Sequence, residues 1–142
     1  MKEKSVKNGE KRNLADYLHA DFFMCKCQKS VINEDWHEYE AIVRDLDEQL
    51  SRMPLLYEQE NMGFRAMVYA HYFGGATDVF VTECSGDDAF GYVILNGDYE
   101  NSELGYVSIK ELTKIDMLNL DFFWEPCPLN EALLEVDSEY FS

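Results

Sequence analysis

DVFVTECSGDDAFGYVILNGDYENSELGYVSIK, residues 78–110, is the stretch on which the reading of this chain turns. Two apolar runs, 78–84 and 89–95, flank Ser85-Gly86-Asp87-Asp88, a group of turn formers in which Gly admits a positive φ. Asn96-Gly97 is a second turn signal, and Gly105-Tyr106-Val107 reads as a short further strand. The stretch therefore predicts strands that return on one another as an antiparallel sheet. It also holds seven acids and no base before Lys110.

Outward from this centre the pattern changes period. Upstream, FRAMVYAHYF (64–73) is aromatic-rich and suits another strand, broken by Gly74-Gly75. Before it, Trp36, Tyr39, Val43, Leu46, Leu50 and Met53 recur every three or four residues, a helical seam that packs on the sheet. Asn33 is the expected cap of that helix, with Glu34 and Asp35 in its first turn, and Pro54 its stop. Leu14, Leu18, Phe22 and Cys25 predict an earlier helix over about 14–27, with Asn13 as cap. Downstream, Ser108-Ile109-Lys110-Glu111 is a capping box that starts a helix at Ile109. LDFFWE (120–125) reads as a last extended segment and 129–136 as a terminal helix. The fold class is α+β: an antiparallel sheet of about four to five strands, helices packed on one side, and two extra N-terminal helices. Residues 1–12 read as a flexible basic tail, 13–53 as a helical extension and 54–136 as the core of one domain.

Net charge is −16, unevenly spread. Residues 1–12 carry +3, residues 13–29 carry 0, and residues 30–142 set 24 acids against five bases for −19. Such a field repels nucleic acid and attracts basic surfaces, so direct DNA or RNA binding is disfavoured. No run approaches the roughly 18 apolar residues of a membrane span, and no apolar segment of a signal peptide follows the basic start. A cytoplasmic protein is expected, as a monomer or homodimer. The four cysteines (Cys25, Cys27, Cys84, Cys127) are too few for a disulfide scaffold. Cys25, Cys27 and His19 invite a zinc reading, but structural zinc takes four ligands at other spacings, and buried thiols are the plainer account.

The run Pro54-Leu-Leu-Tyr57-Glu-Gln-Glu60 is followed by Phe80-Val-Thr82-Glu83, Phe90-Gly91-Tyr92, Glu103-Leu104-Gly105-Tyr106-Val107-Ser108, Glu111-Leu112 and Leu120-Asp121-Phe122-Phe123. In this order the residues resemble a small bacterial family catalogued as a domain of unknown function and common on plasmids, phages and integrative elements. The resemblance covers about residues 52–133, with Glu-Leu-Gly-Tyr-Val-Ser its most specific piece. Asn119 departs from it, standing where the family tends to carry a charge. The resemblance implies a mobile-element origin and supports an α+β fold, with no reaction and no catalytic residue attached.

No nucleophile elbow, phosphate loop, dinucleotide motif or paired-histidine metal helix occurs, and nothing calls for a cofactor. The enzymatic candidate is acidic: Glu83, Asp87 and Asp88 near one hairpin, with Glu103 beside them, as ligands for Mg²⁺ or Ca²⁺ in a metal-dependent enzyme. By alternation Glu83 shares a face with Val79 and Val81, with His71 or Arg65 as the partner a buried carboxylate needs. Tyr92 and Tyr106 read as core caps with wet hydroxyls, and Gly105, Ser108 and Glu111 as structural. The binding alternative uses the charge itself. Asp45, Glu48, Asp78, Asp87, Asp88, Asp98, Glu100 and Glu103 are the expected partner-facing acids. They point to a non-catalytic domain that binds a basic protein surface, in sharper form an anti-restriction or anti-CRISPR DNA mimic docking on a nucleic-acid-binding defence protein. The third class is an interaction domain whose acidity serves solubility only.

Overall fold

The computed structural model describes residues 13–142; the basic segment 1–12 lies outside the described residues. A 3-10 turn (Leu14–Asp16) leads into α1 (Leu18–Phe23), α2 (Lys26–Glu34) and α3 (Trp36–Ser51). Then come β1 (Met67–Val68), β2 (Ala70–Gly74), β3 (Thr77–Ser85), β4 (Asp88–Ile94), β5 (Glu103–Ser108), α4 (Ile109–Thr113), β6 (Asn119–Leu120), β7 (Cys127–Pro128) and α5 (Leu129–Val136). Five strands form one antiparallel sheet in the order β5-β4-β3-β2-β6, and β1 pairs with β7 in a two-stranded ribbon. The class is α+β with N-terminal helices, as the periodicity predicts. Among the described residues no helix is long and apolar enough to cross a membrane.

The α3 seam packs where its spacing places it. Val43, Leu46, Leu50 and Met53 are buried against Ala70, Tyr72, Val79, Val81 and Ala89, with Leu14, Phe23, Met24 and Ile32 completing the same core. The opposite sheet face is covered too: Phe80, Tyr92 and Ile94 pack under Leu129, Ala132 and Leu133 of α5. Strand alternation sends odd and even residues to these two layers, so helices flank both faces and not one.

Several local expectations give way to tertiary contacts. The helix expected over 14–27 breaks at Met24 and Cys25, which are extended (ψ 143° and 162°). The break frees the Phe23 carbonyl, which accepts the buried Tyr72 hydroxyl at 2.6 Å. Asp47 of α3 caps α1 through the His19 and Ala20 amides at 2.9 and 3.0 Å. Asn33 lies inside α2 and does not cap α3, whose first residue follows Asp35. Of LDFFWE only Leu120 is in a strand; Asp121 turns the chain by accepting the Phe123 amide at 2.9 Å. A fourth departure decides the site: the β3–β4 register shifts between Val81 and Glu83.

Candidate functional site

At that shift Val81 opposes Gly91, while Glu83 opposes Phe90, so one extra residue, Thr82, stands in β3 as a bulge. A bulge reverses alternation beyond it. Glu83 therefore lies on the α5-side face with Phe90, opposite to Val79 and Val81, and not with them as strict alternation predicts. It is buried (3% exposed), and neither His71 nor Arg65 is its partner. Its Oε1 accepts the Tyr57 amide at 2.6 Å instead, and a hydrogen bond of this charge-assisted kind is what makes the burial tolerable. Tyr57 is held at a positive φ of 75°. Beside it the Gln59 side chain, also buried, donates to the carbonyls of Met67 and Thr82 at 3.0 and 2.9 Å and accepts the Met67 amide at 2.7 Å. These bonds strap the segment between α3 and β1 across the bulge.

The strap leaves aromatic surface in view. Tyr57 and Tyr106 are 60% and 62% exposed, and Phe90 meets Tyr106 edge-on at 5.0 Å. A hydrogen bond with the Tyr57 side chain raises the Tyr106 phenol above its ordinary pKa, with partial burial and the charges of Glu60 and Glu83 adding. The Tyr92 OH lies 2.6 Å from Ser102 Oγ, which itself donates to the Tyr99 carbonyl.

The eight candidate acids divide by what they bind. Asp78 is half-buried, with its Oδ1 2.7 Å from His71 Nε2. That imidazole stacks on Phe80 at 4.5 Å, and its Nδ1 is buried 3.7 Å from Asp121 Oδ2. Asp87 adds to the cap of α4. Its Oδ2 accepts the Ser108 hydroxyl at 2.6 Å, its Oδ1 the Lys110 amide at 2.7 Å, and its main-chain carbonyl the Ile109 amide at 3.0 Å. Ser108 Oγ accepts the Glu111 amide at 3.2 Å, so the expected Ser108 cap forms. Glu111 itself turns to Lys114 at 3.8 Å. Asp78 and Asp87 thus both serve the fold, one beside a histidine and the other at a helix start.

The Ser108 hydroxyl, and after it the Lys110 amide, hold the Asp87 carboxyl below its ordinary pKa. A depressed folded-state value means that this contribution is present above the unfolded-state value near pH ~3.9 and is lost as pH falls through the folded one. Asp87→Asn is accordingly expected to flatten the acid limb. Between about pH 5 and pH 3 the variant should lose less stability than the parent, read as urea midpoints. Parallel curves for the two proteins would refute this.

The remaining acids face solvent. Asp88, Asp98, Glu100 and Glu103 are exposed around the β4–β5 edge, and none forms a salt bridge among the described residues. Asp45 and Glu48 are exposed on α3, Glu48 paired with Arg52. Register places Asp88 opposite Ser108 and Glu103 opposite Val93, at opposite ends of the β4–β5 ladder, about 17 Å apart at ~3.3 Å per residue.

The carboxylates offered as a cation set do not converge. Glu83 is buried under the strap, Asp87 caps a helix and Asp88 is in solvent; among the described residues no group of three or more His, Cys, Asp or Glu side chains is placed to hold a metal ion. Nor do His19, Cys25 and Cys27 gather: Cys25 is buried with its thiol 3.6 Å from Gln28 Oε1, and Cys27 is exposed. Burial, with Asp87 and Asp88 adding, pushes the Cys84 thiol up to about 11, the opposite of an activated nucleophile. A recess of about 420 Å³ between α1, the end of α3 and the β3–β4 turn is lined by Leu18, Phe22, Leu50, Met53 and this inert thiol.

Sequence reasoning missed Gln59 and Tyr57 as organising residues. The one available signal was a glutamine flanked by acids in an otherwise featureless connection. No family model, curated protein or solved structure matches this chain, so the resemblance drawn above rests on its quoted residues alone.

Proposed function

We propose that this chain is a non-catalytic acidic domain that binds a basic protein surface, and in the sharper form that it displaces nucleic acid from a DNA- or RNA-binding protein. The observation that carries the reading is the division of the acids. At the β4–β5 edge Asp88, Asp98, Glu100 and Glu103 stand exposed with no cation beside them among the described residues, Asp98 bonding only Asn101 within its own turn. Four such charges on one edge, in a body already at −19 over residues 30–142, raise association rates with basic partners and repel nucleic acid. Over ~17 Å a single DNA strand presents about five phosphates, at ~3.4 Å each. The edge offers a comparable number of charges, gathered at its two ends.

The test is capture from bacterial lysate by the immobilised full chain, with elution by salt and by duplex DNA. A basic nucleic-acid-binding protein should be retained at ~0.05 M salt and released at ~0.5 M, where screening shortens to a few ångströms. The variant Asp88→Asn, Asp98→Asn, Glu100→Gln, Glu103→Gln should retain it at least about tenfold more weakly, since each exposed charge contributes a few tenths of a kcal/mol to ~1 kcal/mol. Equal retention by parent and variant, or no basic protein retained by the parent, sinks the proposal.

A further inference from the structure

The acids gathered at the two ends of the edge leave its middle uncharged, and that middle is backbone. We infer that the free edge of β5 is a strand-addition site, which takes an extended segment of the partner bearing lysine or arginine, above all at the end that meets Asp98, Glu100 and Glu103. The inference rests on the binding reading above and names the mode of binding.

The geometry supports it in four ways. First, β5 pairs with β4 alone, and among the described residues no strand lies on its outer side. Second, the direction of its amides is settled. The Ile109 amide donates to the Asp87 carbonyl, which turns the odd-numbered residues at this end of β4 toward β5. The Thr82 hydroxyl donates to the Phe90 carbonyl at 3.1 Å, which turns the even-numbered ones toward β3. Gly91 and Gly105 therefore face each other across the ladder. Leu104 and Tyr106, opposite Tyr92 and Phe90, direct their N–H and C=O groups outward. Third, a Cβ built on Gly105 would meet nothing within 4 Å; packing does not require glycine here, and its absence of a side chain leaves the middle of the edge open to another backbone. Fourth, the charges match one kind of occupant. Asp98, Glu100 and Glu103, all exposed, lie at one end; at the other Asp88 is exposed, beside Glu111, which Lys114 already pairs, and the exposed Lys110.

Proteins often guard an edge by charging its middle or keeping it short. The other edge of this sheet, β6, is guarded in the second way, being two residues long. β5 runs Glu-Leu-Gly-Tyr-Val-Ser over six residues and has no charge between its first residue and its end. A second copy of the chain is a poor occupant, because it brings another −16 and like charges across a ladder are destabilising. A basic extended segment gains main-chain hydrogen bonds in the middle and ion pairs with the acids at the Glu103 end.

The probe is the synthetic peptide Lys-Arg-Val-Thr-Val-Thr-Val-Lys-Arg added to the isotope-labelled full chain, with amide exchange followed by NMR. Exchange at Leu104 and Tyr106 should slow at least about tenfold, a factor that one hydrogen bond's net contribution supplies. Two N-methylated forms of the peptide, one blocked at each alternate set of residues, separate the modes. One of them should lose the protection while keeping its charge. If both blocked forms protect as the parent does, or if the peptide binds without protecting these two amides, strand addition is overturned, and the acidic surface can still satisfy the lysate test above. Protection present before any peptide is added, by a second copy if it grows with concentration or by the chain's own residues if it does not, overturns it as well.

Discussion

Gly91→Ala is expected to cost more than about 4 kcal/mol and to leave little native protein. Gly91 sits in β4 opposite Val81, in the middle of the sheet and immediately before the bulge. A Cβ there would fall far inside contact with the Phe80 carbonyl oxygen, 2.9 Å from its carbon and 3.0 Å from the Val81 Cα. All three are main-chain atoms of a central strand whose own side chains are buried on both faces, so no rotamer change relieves the overlap. β3 and β4 must part, which breaks the ladder on both sides of the bulge. Gly105→Ala is the control. It adds the same methyl into open space and should alter stability by no more than about 0.5 kcal/mol. Urea midpoints and the dispersion of amide resonances measure both. A Gly91→Ala protein within ~1 kcal/mol of the parent would show that the strands close differently from the arrangement described.

Gln59→Leu is expected to cost about 3 kcal/mol, with a fall in Tm of roughly 6–12 °C. The substitution keeps the side-chain volume and removes the bonds to the Met67 and Thr82 carbonyls and to the Met67 amide. Each is a main-chain group under the strap, and a buried unpaired one costs ~1–3 kcal/mol, so partial opening of the strap to water sets the upper limit. The consequence should also be local. With the strap loosened, the Tyr57 amide that Glu83 accepts should exchange faster than amides of α3, a pattern that uniform destabilisation would not produce. A Tm within 2 °C or so of the parent would mean that these bonds are replaced by water without loss.

Much of this could be read from residue order, and what could not has a common cause. The seam from Trp36 to Met53, the strands on either side of Ser85-Gly86, and the helix beginning at Ile109 depend on residues near one another in sequence, and all are found. The helix expected over 14–27 failed because the Phe23 carbonyl is claimed by Tyr72, 49 residues away. The face of Glu83 was misread because alternation counts residues, and a bulge adds one that no local signal marks. Among the acids, composition showed how many there were and nothing of their employment. Asp87 is taken by a helix that begins 22 residues later, and Asp78 by a histidine on the neighbouring strand. Asp88, Glu100 and Glu103 have no such neighbour, and the register places Asp88 and Glu103 at the two ends of the edge.

The first 40 or so described residues were read as an attachment to a sheet-forming core, and the buried cluster that joins them to it changes what the chain is as a unit of construction. Leu14, Phe23, Met24, Ile32, Val43, Leu46 and Leu50 share one interior with Ala70, Tyr72, Val79, Val81 and Ala89. A cut at Pro54 would leave that side of the sheet only the cover of Ile109, Leu112, Leu118 and Leu120, and Tyr72 with its hydroxyl unpaired. The resembling segment, about residues 52–133, is therefore not a portable cassette: transplanted into another protein, it would need a helical cover supplied from elsewhere.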